Sequence, residues 1–105
     1  MKMRNITGFD WDEGNKIKCQ KHGVSLYELE SAFHRKLHIF PDLKHSQIEE
    51  RYIAFGITGE MRHVFTVFTL RHIGEETYIR PISSRYMHQK EIDYYEEEIA
   101  RPKNR

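Results

Sequence analysis

An α+β fold is predicted for this chain of 105 residues on three observations. Two carboxylate or hydroxyl residues near the start, each followed by Glu three positions on, mark helix openings. The apolar period then shortens from helical to strand-like near Leu37. A helical stripe returns after Ser83. The expected order is two N-terminal helices, a four-stranded antiparallel meander and a C-terminal helix, with the helices on one face of the sheet.

The first helix opens at Asp10, whose partner in a capping-box spacing is Glu13, and runs to Gly23, with Lys21 and His22 in its last turn. Ser25 and Glu28 repeat the spacing for a second helix. Val24 and Leu29 sit at staple positions around it, and Leu26, Leu29 and Phe33 form its buried stripe. The spacing of the pair is close to that of a helix-turn-helix, but the strand-like sequence that follows and the weak apolar stripe of the first helix argue against DNA reading by it. Leu37, Ile39 and Leu43 flank Pro41, a residue suited to an edge strand. Arg51 to Thr58 and His63 to Leu70 are rich in β-branched and aromatic residues and are joined by a turn containing Gly59. The second of these is apolar on both faces, as a central strand would be. Gly74 turns the chain into a last strand, Thr77 to Ile82. The final helix is expected to be capped near His88, with Ile92, Tyr95 and Ile99 on its buried side.

A mass of 12.7 kDa allows one domain, expected over 1–100, with 101–105 as a solvated tail. Only 38% of residues are hydrophobic and 31% are charged, but 12% are aromatic, more than a disordered chain carries. The formal charge is +1, so net charge does not announce a nucleic acid. Charge is unevenly spread, however: Glu91, Asp93, Glu96, Glu97 and Glu98 crowd near the C-terminus, whereas Arg62, Arg71, Arg80 and Arg85 precede them. A single cysteine, Cys19, fits a reducing compartment, and neither a signal peptide nor a membrane span is legible. A cytoplasmic protein is expected. No Gly-rich phosphate loop or nucleophile motif is present, which removes kinase, dinucleotide and serine-hydrolase chemistry. His34 with His38, and Cys19 with His22, have metal-like spacings, but no second pair completes a tetrahedral set. No metal or other cofactor is expected.

Four patterns in order resemble the BrnT toxin family, small bacterial toxins with a RelE-like fold. The first is Phe9-Asp10-Trp11-Asp12-Glu13 with Lys21-His22-Gly23-Val24, and the second is Glu50-Arg51-Tyr52 leading to Gly56. The third is Val64 to Arg71, and the fourth is Arg80-Pro81-Ile82-Ser83-Ser84-Arg85 leading to Glu91 and Tyr95. The resemblance spans Phe9 to Glu96. It departs from the family at Tyr86, where a second basic residue is common, and at His88, where Ser or Thr is usual. It implies a ribonuclease toxin of a type II toxin–antitoxin pair that acts on RNA and slows translation. It also implies a small DNA-binding, BrnA-like antitoxin that neutralises the toxin in a hetero-oligomer.

Cleaving RNA without a metal requires a base for the 2′-hydroxyl, an acid for the departing 5′-oxygen, and charge for the phosphorane. Arginine suits the last task, because its fork meets phosphate oxygens and never loses its charge. Arg71, Arg80 and Arg85 are the candidates, and the last two match the family motif. The competing reading pairs these arginines with Glu75, Glu76 or the acidic last helix. Lys21 and His22 are the candidates for proton handling, and helix-end capping is their structural alternative. Arg51, Arg62 and Tyr86 are expected to add RNA contacts, while Tyr78, Tyr94 and Tyr95 could stack on bases or fill the core. Three functions stay open: an RNA-cleaving toxin, an antitoxin-binding module without catalysis, and a non-catalytic nucleic-acid-binding regulator.

Overall fold

A computed structural model describes residues 5–45 and 47–101. Its elements are β1 (Ile6–Phe9), α1 (Glu13–Gln20), α2 (Leu26–Phe33), β2 (Leu37–Pro41), a 3₁₀ turn (Leu43–His45), β3 (Tyr52–Ile57), β4 (His63–Ile73), β5 (Glu76–Tyr86) and α3 (Gln89–Ala100). The α+β class holds, but two details of the expected architecture are corrected. A strand precedes the helices, and it makes the sheet five-stranded and mixed, in the order β1-β5-β4-β3-β2. β1 runs parallel to β5, while every other neighbour is antiparallel. Apart from Arg101, the expected tail lies outside the described residues.

The helices also lie on both faces of the sheet, not one. Even-numbered positions of β4 meet α1 and α2: Val64 joins Cys19, Val24 and Leu29 in one buried cluster. Phe68 joins Ala54 and Ile79 in another, and Phe9 and Phe33 pack against both clusters. The odd positions meet α3, whose Tyr95 ring stands 5.7 Å from Phe55, 6.0 Å from Phe65 and 5.8 Å from Phe40. The sheet is therefore a middle layer, which accounts for β4 being apolar on both faces.

Local chemistry explains the helix ends. α2 opens on the Ser25–Glu28 box, and Val24 and Leu29 are both buried beside it as a staple. Gly23 closes the preceding turn at φ +96, a conformation that favours glycine. The opening of α1 is corrected: the box is Asp12 with Asn15, not Asp10 with Glu13. Asn15 wins because its amide, buried at 6% exposure, also donates to the carbonyls of Asp10 and Pro81 at 2.9 Å each. It thus ties α1 to β5, whereas a glutamate in its place would bury an unmatched charge. α1 ends at Gln20, so Lys21 and His22 stand just beyond it, not in its last turn. The β3–β4 turn contains Gly59, as expected, and its positive φ falls on Met61.

One irregularity decides how β5 presents its side chains. The β4–β5 register shifts between Val67 and Phe68: Val67 faces Ser83 and Phe68 faces Pro81, so Ile82 is an extra residue. Proline, which has no N–H to pair, suits such a position. Because of this bulge, Arg80 (opposite Thr69) and Arg85 (opposite Phe65) share the α3 face, despite their odd separation in sequence.

Candidate functional site

The C-terminal half of β5 borders a pocket of about 240 Å³ lined by His22, Phe65, Val67, Ser83, Ser84 and Arg85. β1 stops opposite Ile79, and Asn15 caps the carbonyl of Pro81, so no strand covers β5 past this point. The turn between α1 and α2 brings His22 to that open edge. Arg85 enters from the strand itself, and its guanidinium lies 4.9 Å over the Phe65 ring.

Arg85 is held by Glu91 through two parallel hydrogen bonds of 2.8 Å. The same carboxylate accepts the N–H of His88 at 3.0 Å. Arg85 first, and the His88 N–H second, hold the Glu91 carboxyl down to about 2. The acidic last helix thus supplies an arginine partner, one of the two options read from the sequence. Glu75 and Glu76 do not act in this way; Glu76 instead accepts from the Tyr78 hydroxyl at 3.0 Å.

The other candidate arginines are placed elsewhere. Arg80 donates to Asp12 at 2.7 Å and to Asp10 at 3.3 Å, joining the ends of β1 and α1 to β5. The Asn15 backbone N–H, and after it Arg80, lower the Asp12 carboxyl. Thr69, opposite Arg80, stands four β4 positions from Phe65, opposite Arg85, or roughly 13 Å at ~3.3 Å per residue. Arg80 turns its fork to Asp10 and Asp12 whereas Arg85 turns its own to Glu91, so the two guanidinium groups do not converge on one spot. Arg71, exposed opposite Tyr78, is farther still along β4. Arg51 pairs with Glu49 at 3.6 Å before β3.

Arg62 and Tyr86 form a separate arrangement on the α2 side. The Arg62 guanidinium stacks 3.5 Å from the Tyr86 ring centre. The Tyr86 hydroxyl donates to Glu28 at 2.6 Å. Burial first, and Glu28 second, raise the Tyr86 phenol, while its hydrogen bond lowers Glu28. Lys21 is exposed beside His22 but does not line the pocket. Of the three stacking candidates, Tyr95 belongs to the α3 contact with the sheet, whereas Tyr94 is exposed.

Sequence reasoning missed Phe65, Val67, Ser83 and Ser84 as pocket residues. Their signal is only that they are neighbours of Arg85 in a strand, and the bulge that turns Ser83 to this face is not legible locally. Burial pushes the Cys19 thiol up to about 11, which makes it an inert core group. Among the described residues, no three His, Cys, Asp or Glu side chains gather as a metal set. Nor is any helix there long and apolar enough to cross a membrane.

The fold and the site define a small α+β protein with a shallow pocket joining an imidazole to a forked guanidinium at a sheet edge. Residues 11–91 match the family described as the ribonuclease toxin, BrnT, of type II toxin–antitoxin systems. The chain belongs to this family, so its class is that of a ribonuclease toxin whose system supplies an antitoxin and whose target is RNA. No curated protein matches the chain.

Proposed function

We propose that this toxin cleaves RNA without a metal, at the pocket where His22 and Arg85 meet. The observation that carries the reading is that one 240 Å³ pocket holds both residues together with Ser83. In-line attack of a ribose 2′-oxygen forms its bond to phosphorus as the P–O5′ bond breaks, giving a 2′,3′-cyclic phosphate and a 5′-hydroxyl. Arg85 meets the charge on the non-bridging oxygens, because a donor pair already fixed by Glu91 needs little reorganisation. His22 transfers protons, since an imidazole can both accept and donate a proton at its ring nitrogens. Lys21, its neighbour in sequence, adds a cation for the approaching strand. Arg62 stacked on Tyr86, and Arg51, extend the RNA contacts away from the reacting phosphate.

In this reading the toxin works in the cytoplasm, slows translation, and is neutralised by a BrnA-like, DNA-binding antitoxin within a hetero-oligomer. His22→Ala should slow cleavage by about 10²–10⁴-fold and change the shape of the pH–rate profile, measured on a single-stranded RNA with chelator present. Retention of the parent's pH dependence in that variant would move proton transfer away from His22. The parent is expected to cleave equally well with and without chelator.

Arg80 takes a structural role here, because two aspartates engage its fork. Arg80→Ala should lower the melting temperature by freeing β1 and the start of α1, yet leave the cleavage rate of the folded protein near the parent's. A large rate loss at unchanged melting temperature would return Arg80 to the reaction centre. The pairing of both Arg80 and Arg85 with carboxylates favours the second reading, an antitoxin-binding module without catalysis. A parent that binds its antitoxin but leaves RNA intact would establish that alternative.

A further inference from the structure

The Arg85–Glu91 contact uses only part of the guanidinium. Nη1 donates to Oε1 and Nη2 to Oε2 of Glu91, and Nη1 also approaches the Tyr86 carbonyl at 3.5 Å. A guanidinium has five N–H donors. The Nε–H and the outer Nη2–H lie side by side on its other edge and have no partner among the described residues. That edge has the spacing that meets two oxygens of one phosphate. Glu91 is itself fixed from behind by the His88 N–H at the opening of α3, and the Phe65 ring backs the guanidinium plane.

We propose that Glu91 is a positioning residue: by gripping one edge of Arg85 from the start of α3, it presents the other edge to the scissile phosphate. This rests on the site reading above. A free arginine samples many rotamers and must lose them on binding. Glu91 removes that freedom beforehand. It also cancels charge, so its benefit lies in geometry at the transition state and not in ground-state attraction. The two effects move binding and turnover in opposite directions.

The test compares the parent, Glu91→Gln, Glu91→Asp and Arg85→Ala. It measures kcat on a single-stranded RNA, Kd for the same RNA carrying 2′-O-methyl groups, and melting temperature. Glu91→Gln should lose about ten- to a hundredfold in kcat, the scale of a misplaced catalytic group. Its Kd should stay equal or tighten, because a negative charge has left the site. Glu91→Asp, which keeps a carboxylate, should recover part of the kcat. Parent-like kcat in Glu91→Gln overturns the role, and so does a kcat loss matched by weaker binding and a smaller folded fraction. If Arg85→Ala is impaired and Glu91→Gln is not, the positioning role alone falls. If Arg85→Ala cleaves and binds like the parent, the site reading falls and takes this role with it. Should Glu91→Gln not fold, the Arg85 Nε–H resonance of the parent decides. It is expected to be sharp and to shift with the 2′-O-methyl RNA, and an unmoved signal overturns the proposal.

Discussion

Arg85→Ala should cleave single-stranded RNA about a hundredfold more slowly than the parent, the usual loss for one transition-state charge contact. The loss should fall mainly on kcat, because the phosphate gains charge as the reaction proceeds and the ground state does not need the full fork. Arg85→Lys should restore little. An ammonium offers one point of charge, and it cannot both satisfy Glu91 end-on and face two phosphate oxygens. Glu91 keeps 30% of its side chain in solvent, so removing its partner leaves a carboxylate that water can hydrate. Melting temperature should therefore move much less than rate. Cleavage by Arg85→Ala at the parent's rate would place the reaction outside this pocket.

What was legible in the sequence follows from the range of the interaction involved. Ser25 with Glu28, the staple of Val24 and Leu29, and Gly23 at φ +96 all act within a few residues, and a linear reading finds them. The two-faced apolar run of β4 was equally legible, and it occupies the middle of the sheet. β1 was not: four residues, one of them Gly8, carry too little period, and their stability comes from parallel pairing with Thr77 to Ile79. The opening of α1 was misread for a related reason. Asp10–Glu13 and Asp12–Asn15 have equal spacing, and only the distant carbonyl of Pro81 decides between them.

The site shows the same division. Arg85 and Glu91 are six residues apart across a strand–helix junction, so the acidic last helix could be named as a partner from sequence. Arg80 finds Asp10 and Asp12 some seventy positions back, through the parallel β1 that no local pattern announced. The register shift at Ile82 then sets which residues share a face. Counting alternation without it puts Arg80 and Arg85 on opposite sides. The sequence names the reactive residue types, whereas the bulge and the open edge of β5 sort them into pocket and frame.

Phe68→Ala should destabilise the fold by about 3–5 kcal/mol, the range for deleting a buried aromatic ring. Phe68 is 0% exposed and lies on the central strand, between two other rings. Phe33 of α2 meets it edge-on at 5.4 Å, and Tyr52 of β3 stacks on it at 5.4 Å. Aromatic pairs of this kind add ~0.5–1.5 kcal/mol each beyond area burial, so the cost should lie toward the upper end. Collapse into the gap is limited, because α2 is held elsewhere by the Trp11–Glu30 hydrogen bond of 2.7 Å and by the Ser31 hydroxyl accepting the Gly59 N–H. For a domain of this size each kcal/mol lowers the melting temperature by about 4–8 °C, so Phe68→Ala should be largely unfolded well below the parent's transition. Phe68→Leu, which keeps most of the volume, should lose much less. Both are read from urea titrations followed by circular dichroism. A Phe68→Ala midpoint close to the parent's would mean that α2 does not pack on the sheet as described. The turn that carries His22 to the β5 edge is anchored by that packing, so the pocket would lose its support as well.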